Sequence, residues 1–470
     1  MAVRIKRSDL TEEQAMLIRS HLCLQPQEKN QYLANKYGIP PKPPILFYIF
    51  KDPYVYVPFT FGAALLQKPV NQDLEHPKAN FTFTGELFEH QSPIVDEALN
   101  QLRMKGTTTI GLYPGFGKTV VGAKLATDLG LYVAVLYHRD FLGGQWESTF
   151  KNFTNATTWI VGTSPPQEFP HITLCMDTKV HLLPDTYRDK IGCLIIDEAH
   201  ALCTPSRVEC LLSWQPKYVI AETATLIRDD GLHLMIQSIT GVHGIFKTST
   251  KPFTVYQLET SIEPEVKNNR QGTTDWTSLI KSICYNEDRN RMILSLVKNN
   301  PQYKIMILCA EVRHVELLCE SLRQMGESVD SMAGTKNTYS DSRILVGTIS
   351  KIGTGFDEKT ACPNFNGVRI NMLILCTSIK KASLLEQSIG RVFRAEMPVV
   401  IDLVDDNPIL KRHWKERQKW YISRNGTIKT IKMVPQVATS TGDPENKEQQ
   451  VQETATKFLQ DKLGSLTLKQ

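Results

Sequence analysis

Beyond Gly85 the chain alternates short apolar runs with segments of helical periodicity. The runs are TTTIGLY (107–113), LYVAVLY (131–137), HITLCM (171–176), CLIID (193–197) and YVIAETA (218–224). Alternation of this kind predicts a parallel sheet covered by helices on both faces. A polar stretch, TSIEPEVKNNRQGTTDW (260–276), reads as a linker. The rhythm resumes with YKIMILCA (303–310), RILVGTI (343–349), NMLILCTS (371–378) and PVVIDLV (398–404). Two α/β units are therefore predicted, at 85–260 and 277–408, joined by a linker at 261–276.

The flanks read differently. Residues 1–84 look like a small appended module, with helical signals over 11–37 that begin at Thr11 and Glu12-Glu13. The segment ILFYIFKDPYVYVPFTF (45–61) is aromatic and β-branched, which predicts strands broken at Pro53 and Pro58. The extension over 409–470 opens on the basic, aromatic LKRHWKERQKWY (410–421) and becomes a polar tail from about Pro435.

Composition narrows the classes. With 470 residues, the chain is long enough for two or three domains, and 41% hydrophobic with 22% charged residues suits a globular protein. It holds no apolar run long enough for a membrane helix, and Met1–Arg7 turns polar too early for a signal peptide. The expected location is inside a cell, in cytoplasm or nucleus, which makes the sequons at Asn80, Asn152, Asn155 and Asn425 chance matches. The ten cysteines fall singly, with no Cys-x-x-Cys pair, so they predict buried reduced thiols rather than a zinc ribbon. The net charge of +5 is a weak pointer to a polyanionic partner.

Two segments carry chemistry. Pro114-Gly115-Phe116-Gly117-Lys118-Thr119 follows an apolar strand and precedes a helical pattern, the context a phosphate loop needs. Glycines let backbone N–H groups face the phosphates, and the helix N-terminus adds positive potential. Lys118 would neutralise the β- and γ-phosphates, and Thr119 would bind Mg²⁺. The full spacing asks for glycine at 112, where Leu112 stands; a plain strand–turn–helix is the bland alternative. The second segment, Leu194-Ile195-Ile196-Asp197-Glu198-Ala199-His200, ends an apolar run on adjacent carboxylates. Such acids are costly unless they meet a cation. Asp197 would hold the metal and Glu198 would polarise an attacking water.

Asp197-Glu198-Ala199-His200 matches the DEAH signature, and with it the chain resembles the superfamily 2 helicases over about 85–400. Gln91 matches the glutamine that reads adenine in that family. VLYHRDFLGGQWESTF (135–150) resembles its first nucleic-acid motif, and Thr223-Ala224-Thr225 its coupling motif, with His200 as partner. Gly347-Thr348 with Gly353-Thr354-Gly355-Phe356-Asp357 resembles the second-domain motif, in which Gly355 and Asp357 approach the nucleotide. Gln387-Ser388-Ile389-Gly390-Arg391-Val392-Phe393-Arg394 matches Gln-x-x-Gly-Arg-x-x-Arg. The resemblance implies two tandem RecA-like domains, ATP and Mg²⁺ as cofactors, and a nucleic-acid track, DNA rather than RNA. Arg391 and Arg394, three apart, would share one face of a helix and stabilise the transferring phosphate, an effect of about 10³–10⁵ in rate. The same resemblance nominates His138, Arg139, Thr178, Arg313 and Thr348 as nucleic-acid contacts. Trp146 reads better as helix packing than as base stacking. The cluster at 410–421 suits either a single-strand contact or a helix docked on the second unit.

The run TATLIRDDGLH (223–233) resembles the helicase subunit of transcription factor IIH, and Gly115–Thr119 the poxvirus-type transcript-release helicases of large DNA viruses. That likeness implies a DNA-dependent ATPase and 3′-to-5′ helicase that works with transcription machinery. A duplex translocase that displaces transcripts or proteins without strand separation would carry the same motifs. A non-motor, ATP-gated binding module is the third possibility.

Overall fold

A computed structural model describes residues 1–27, 40–69, 74–223, 228, 230–269, 273–352, 356 and 358–432. The chain forms two compact units, Met1–Thr248 and the residues from Ser249 on. The polar tail beyond 432 lies outside the described residues.

The first unit opens with β1 (Ala2–Lys6), β2 (Cys23–Leu24), β3 (Ile45–Leu46), β4 (Ile49–Lys51) and β5 (Tyr54–Pro58). These make an antiparallel β1-β5-β4 sheet and a β2-β3 pair. The helix Glu12–His21 starts at a capping box between Thr11 and Gln14. The aromatic run does not end as a strand: Pro58 closes β5 and caps the helix Phe59–Leu66. A proline offers no N–H to a ladder, and its fixed φ suits a helix start.

The main sheet of this unit holds β6 (Thr107–Leu112), β7 (Val133–Tyr137), β8 (Thr158–Ile160), β9 (Ile172–Met176), β10 (Cys193–Ile196), β11 (Tyr218–Glu222) and β12 (Ile245–Lys247). Its order is β12-β6-β11-β10-β7-β9-β8, with every pairing parallel. Residues 1–84 are not a separate body. Met1, Val3, Val57 and Phe59 share one apolar core with Leu194, Ile196, Trp214 and Met235. Ala2 N–H donates to the Trp214 carbonyl at 2.8 Å, and the Thr60 hydroxyl to that of Ile239 at 2.7 Å. The N-terminal segment thus covers a face of the main sheet that would otherwise meet water.

The second unit holds β13 (Phe253–Glu259), β14 (Ile305–Cys309), β15 (Val329–Met332), β16 (Ile344–Thr348), β17 (Met372–Leu375), β18 (Val399–Val404) and β19 (Gly426–Lys432). They pair in parallel in the order β15-β16-β14-β17-β18-β13-β19. The boundary expected at 260 is corrected here: β13 lies in the second sheet, between β18 and β19, and the units divide at Thr248/Ser249. The apolar pattern of a strand says that it is buried, not which sheet buries it.

The basic segment forms the helix Pro408–Ser423, which buries Trp414, Arg417, Trp420 and Tyr421. Arg417 makes a two-pronged bond to Asp402 on β18 (Nε–Oδ2 2.7 Å, Nη2–Oδ1 2.8 Å), and the Tyr421 hydroxyl donates to Asp402 Oδ2 at 2.7 Å. Those side chains are spent on the fold, which leaves Arg412, Lys415 and Lys419 on the outer face. All cysteines are free thiols, buried except for Cys23. Among the described residues no helix is long and apolar enough to cross a membrane.

His314 is buried in this unit, with Nε2 bonded to Asn290 Oδ1 at 2.9 Å. Burial, aided by Arg289, pushes its pKa down from 6.5 to about 3. The unfolded chain therefore takes up that proton first as the pH falls below about 6.5, and the folded unit loses stability from there toward pH 3, by at most about 1.4 kcal/mol per pH unit. In urea titrations across that window, His314→Gln should flatten the acid limb relative to the parent; parallel limbs would exclude this assignment.

Candidate active site

β6, β11 and β10 are neighbours in the first sheet, and their carboxyl ends carry the chemistry. β6 is buried to its last residue, Leu112. The turn that follows is made by Gly115 (φ 92°) and Gly117 (φ 93°), and the helix Lys118–Leu129 begins directly after. Both glycines adopt the left-handed backbone that side chains resist. The spacing that asks for glycine at 112 is therefore unnecessary here, because Leu112 is still part of β6 and the turn is made by Gly115 and Gly117. Pro114 opens the turn, Phe116 is buried under it, and Thr119 stands in the first helical turn.

Gln91 lies beneath this loop, 1% exposed. Its Nε2 donates to the Phe116 carbonyl at 2.8 Å, and its Oε1 accepts from Phe88 N–H at 2.9 Å. A Cβ on Gly117 would stand 2.3 Å from Gln91 Nε2. The carboxamide thus braces the loop with both of its ends. His90 packs edge-on to Phe116 and stacks on Phe88, at centroid distances of 4.7 and 5.6 Å.

Lys118 Nζ stands 3.2 Å from Asp197 Oδ1, 3.6 Å from Glu198 Oε1 and 3.9 Å from Glu222 Oε2. Burial alone would lower the lysine pKa; Glu198, Asp197 and Glu222 outweigh it and hold the ammonium charged. Trp146, on the helix Asp140–Phe153, donates its indole N–H to Asp197 Oδ2 at 3.0 Å. Glu198 itself adopts φ 48°, strained for a side chain of its size. His200 Nδ1 lies 3.0 Å from Thr223 Oγ1 and 3.4 Å from Glu198 Oε2, and burial lowers its pKa. Arg228 donates to the His200 carbonyl and pairs with Asp230.

The family of the type III restriction enzyme res subunit matches residues 84–228. "Putative helicase 055L" of Frog virus 3 is 32% identical over 398 residues, spanning 82% of this chain and 89% of its own. The chain belongs to the superfamily 2 helicases of large DNA viruses. "Putative helicase 161L" of Invertebrate iridescent virus 6 is 27% identical over 410 residues, 80% of this chain and 90% of that one. Among solved structures, Saccharomyces cerevisiae Dbp5 bound to RNA and ADP BeF3 aligns with TM-score 0.51 at 13% identity, over 77% of this chain and 93% of that one, a likeness of fold. The two parallel sheets with their helices are RecA-like domains, and the protein is a nucleic-acid-dependent ATPase of the helicase type.

In the helicase's second unit, Gln387 is buried on the helix Ala382–Ile389. That helix stops before the arginines. Arg391 precedes a 3-10 turn, Val392–Arg394, rather than lying on an α-helix. At three residues per turn Arg391 and Arg394 still come out on one side. Lys251 ties this turn down through the carbonyls of Phe393 (3.2 Å) and Ala395. Thr348 ends β16, buried, and accepts from the Ser350 hydroxyl at 3.2 Å. Arg313 is exposed, with its guanidinium 5.9 Å from the centre of the Tyr285 ring. Thr225, Gly355 and Asp357 lie outside the described residues.

The nucleic-acid candidates of the first unit separate. Thr178 is exposed, beside an Asp177 that pairs with Arg207. Arg139 stands at the N-cap position of the helix that carries Trp146. Burial and then the neighbouring Arg139 lower the pKa of His138, with Glu198, Asp197 and Asp177 acting in the opposite direction.

Trp146, Glu222 and Lys251 were not singled out as site residues from sequence. Glu222 left a signal, a lone acid inside the apolar run YVIAETA. For Trp146 and Lys251 the partners are distant in the chain, and no local pattern marks them. Trp146→Phe keeps the packing but removes the donor to Asp197 Oδ2. It should cost about 1–3 kcal/mol in denaturant titrations and lower ATP turnover at a fixed Mg²⁺ concentration. Unchanged turnover across a Mg²⁺ titration would show that the indole is only packing.

Proposed function

We propose that this helicase is a DEAH-type motor that couples ATP hydrolysis to movement on, or unwinding of, DNA. The observation that carries this reading is the Lys118 ammonium, held at the carboxyl edge of a parallel sheet within 4 Å of Asp197 and Glu198, at the start of a helix led by two left-handed glycines. A helix N-terminus with a lysine in its first turn binds phosphate. The Thr119 hydroxyl and the Asp197 carboxylate are hard oxygen donors that suit Mg²⁺, which keeps most of its water and needs only one or two protein ligands. When bound, that ion offsets the charge on the transferring phosphate.

The chain's own groups supply the remaining chemistry. Lys118 leaves its carboxylates for the β- and γ-phosphates. Glu198 orients a water and accepts its proton. By the family resemblance, Arg391 and Arg394 would add positive charge in the transition state. The contact between His200 and Thr223 links the acid pair to the coupling segment, so hydrolysis is felt beyond the nucleotide.

DNA is favoured by the likeness of TATLIRDDGLH to the transcription factor IIH helicase and by relatives from DNA viruses; work alongside transcription machinery follows from the same likeness. One relative, from Acanthamoeba polyphaga mimivirus, bears the name "Putative ATP-dependent RNA helicase L396" (25% identical, 90% of this chain and 86% of that one). The deciding measurement is ATPase activity without polymer and with single-stranded DNA, duplex DNA or RNA. DNA should stimulate turnover most; stimulation by RNA alone would overturn the DNA assignment. Strand separation on tailed duplexes then divides unwinding from translocation.

Lys118→Ala and Glu198→Gln should each lower hydrolysis by at least about a hundredfold, while Glu198→Gln still binds nucleotide. Arg394→Ala should lose about a thousandfold in turnover with little change in nucleotide affinity. A large affinity loss with intact turnover would place Arg394 in binding rather than in the chemical step.

A further inference from the structure

Asp197 and Glu198 have tasks at a phosphate site, but a third acid reaches the same lysine. Glu222 is the last residue of β11, the strand between β6 and β10. Ala221 pairs with Ile196, so Glu222 and Asp197 leave adjacent strands at the same level. The Glu222 side chain is 0% exposed, and neither of its carboxyl oxygens has a hydrogen-bond partner. Buried carboxyls without donors are uncommon because desolvation goes uncompensated.

The surroundings are shaped around this side chain. A Cβ on Gly122 would stand 2.6 Å from Glu222 Oε1 and 2.8 Å from the Trp146 ring, so a glycine on the Lys118 helix makes room for both. The cation that Glu222 meets is Lys118, at 3.9 Å. Burial pushes the carboxyl well above the ordinary range, with Lys118 acting in the opposite direction. A charge on Glu222 thus depends on keeping the lysine near.

We infer that Glu222 is a positioning residue that holds the Lys118 ammonium against the sheet edge in the nucleotide-free site, so that nucleotide phosphates must draw the lysine away from it. The inference rests on the nucleotide-site reading above. Two consequences share one sign. Phosphates compete with three carboxylates for Lys118 rather than two, and drawing the lysine away leaves Glu222 a buried acid without its cation, which costs free energy whether it stays charged or takes up a proton. Glu222 therefore weakens nucleotide binding, and it favours the return of Lys118 when product leaves, a step that often limits the turnover of motors.

The test is titration of a fluorescent ADP derivative into the full chain and its Glu222→Gln, Glu222→Leu and Lys118→Ala variants. Gln keeps the shape and removes the charge; Leu fills the same space without polar atoms. Both should bind about tenfold more tightly than the parent, a change of about 1.4 kcal/mol. KM for ATP should fall with them by more than kcat changes. Melting without nucleotide should show both variants at or above the parent, since replacing a buried, poorly paired ion with a neutral side chain is often neutral or stabilising. Affinity unchanged or weaker in both variants would overturn the inference, and a lowered melting temperature with unchanged affinity would make Glu222 purely structural. Lys118→Ala separates the two layers. If it binds ADP like the parent, the nucleotide-site reading itself fails. If it loses ADP while the Glu222 variants bind like the parent, only the role of Glu222 fails.

Discussion

One ammonium group sets the terms for the first domain. Strands that end in carboxylates at a buried sheet edge are unstable unless a cation meets them, and Lys118 meets three: Asp197, Glu198 and Glu222. The lysine can do so because its loop leaves β6, while the acids leave β10 and β11, and these three strands are adjacent. The contact between Thr223 and His200 is a by-product of the same adjacency, since each residue follows one of those strand ends.

What could be read from the sequence follows from how local each signal is. The phosphate loop was legible because glycines, lysine and helix start fall within six residues, and the acid pair because an apolar run stops on it. Even the departure at Leu112 has a local cause: the strand runs through that position, and Gly115 with Gly117 makes the turn alone. Pairing partners were not legible. β13 has the same apolar character as the strands before it, yet it lies between β18 and β19. The first 84 residues read as a separate module because nothing in them announces that Met1 and Val57 pack with Leu194 and Ile196. Burial is a property of pattern; the identity of the covering surface is a property of the whole chain.

The basic segment after the second domain shows how charge can mislead in the same way. Arg417 lies among cations and tryptophans in sequence, the mixture expected of a strand-binding surface. In the fold its guanidinium is 1% exposed and tied to Asp402 on both prongs. Removing one partner of so buried a pair costs about 3–5 kcal/mol, which is a sufficient physical reason for an arginine there. The arginines of the Gln-x-x-Gly-Arg-x-x-Arg segment are positioned differently, on a short turn tied to Lys251 through backbone carbonyls. That anchoring fixes the backbone of the turn.

Gln91 bears on which part of the nucleotide site can move. Its carboxamide is used at both ends inside the protein, on the Phe88 N–H and the Phe116 carbonyl. An amide so engaged is a poor free reader of a base but an effective strut, and Gly117 suits glycine because its φ of 93° strains any other residue, with the strut passing 2.3 Å from where a Cβ would be. A loop braced from below has its N–H groups set before phosphate arrives, which lowers the ordering cost of binding. The adjustable element is then the Lys118 side chain. It has several rotatable bonds and three carboxylates to leave, so under the proposed reading what holds the lysine sets the affinity for nucleotide more than how the loop folds.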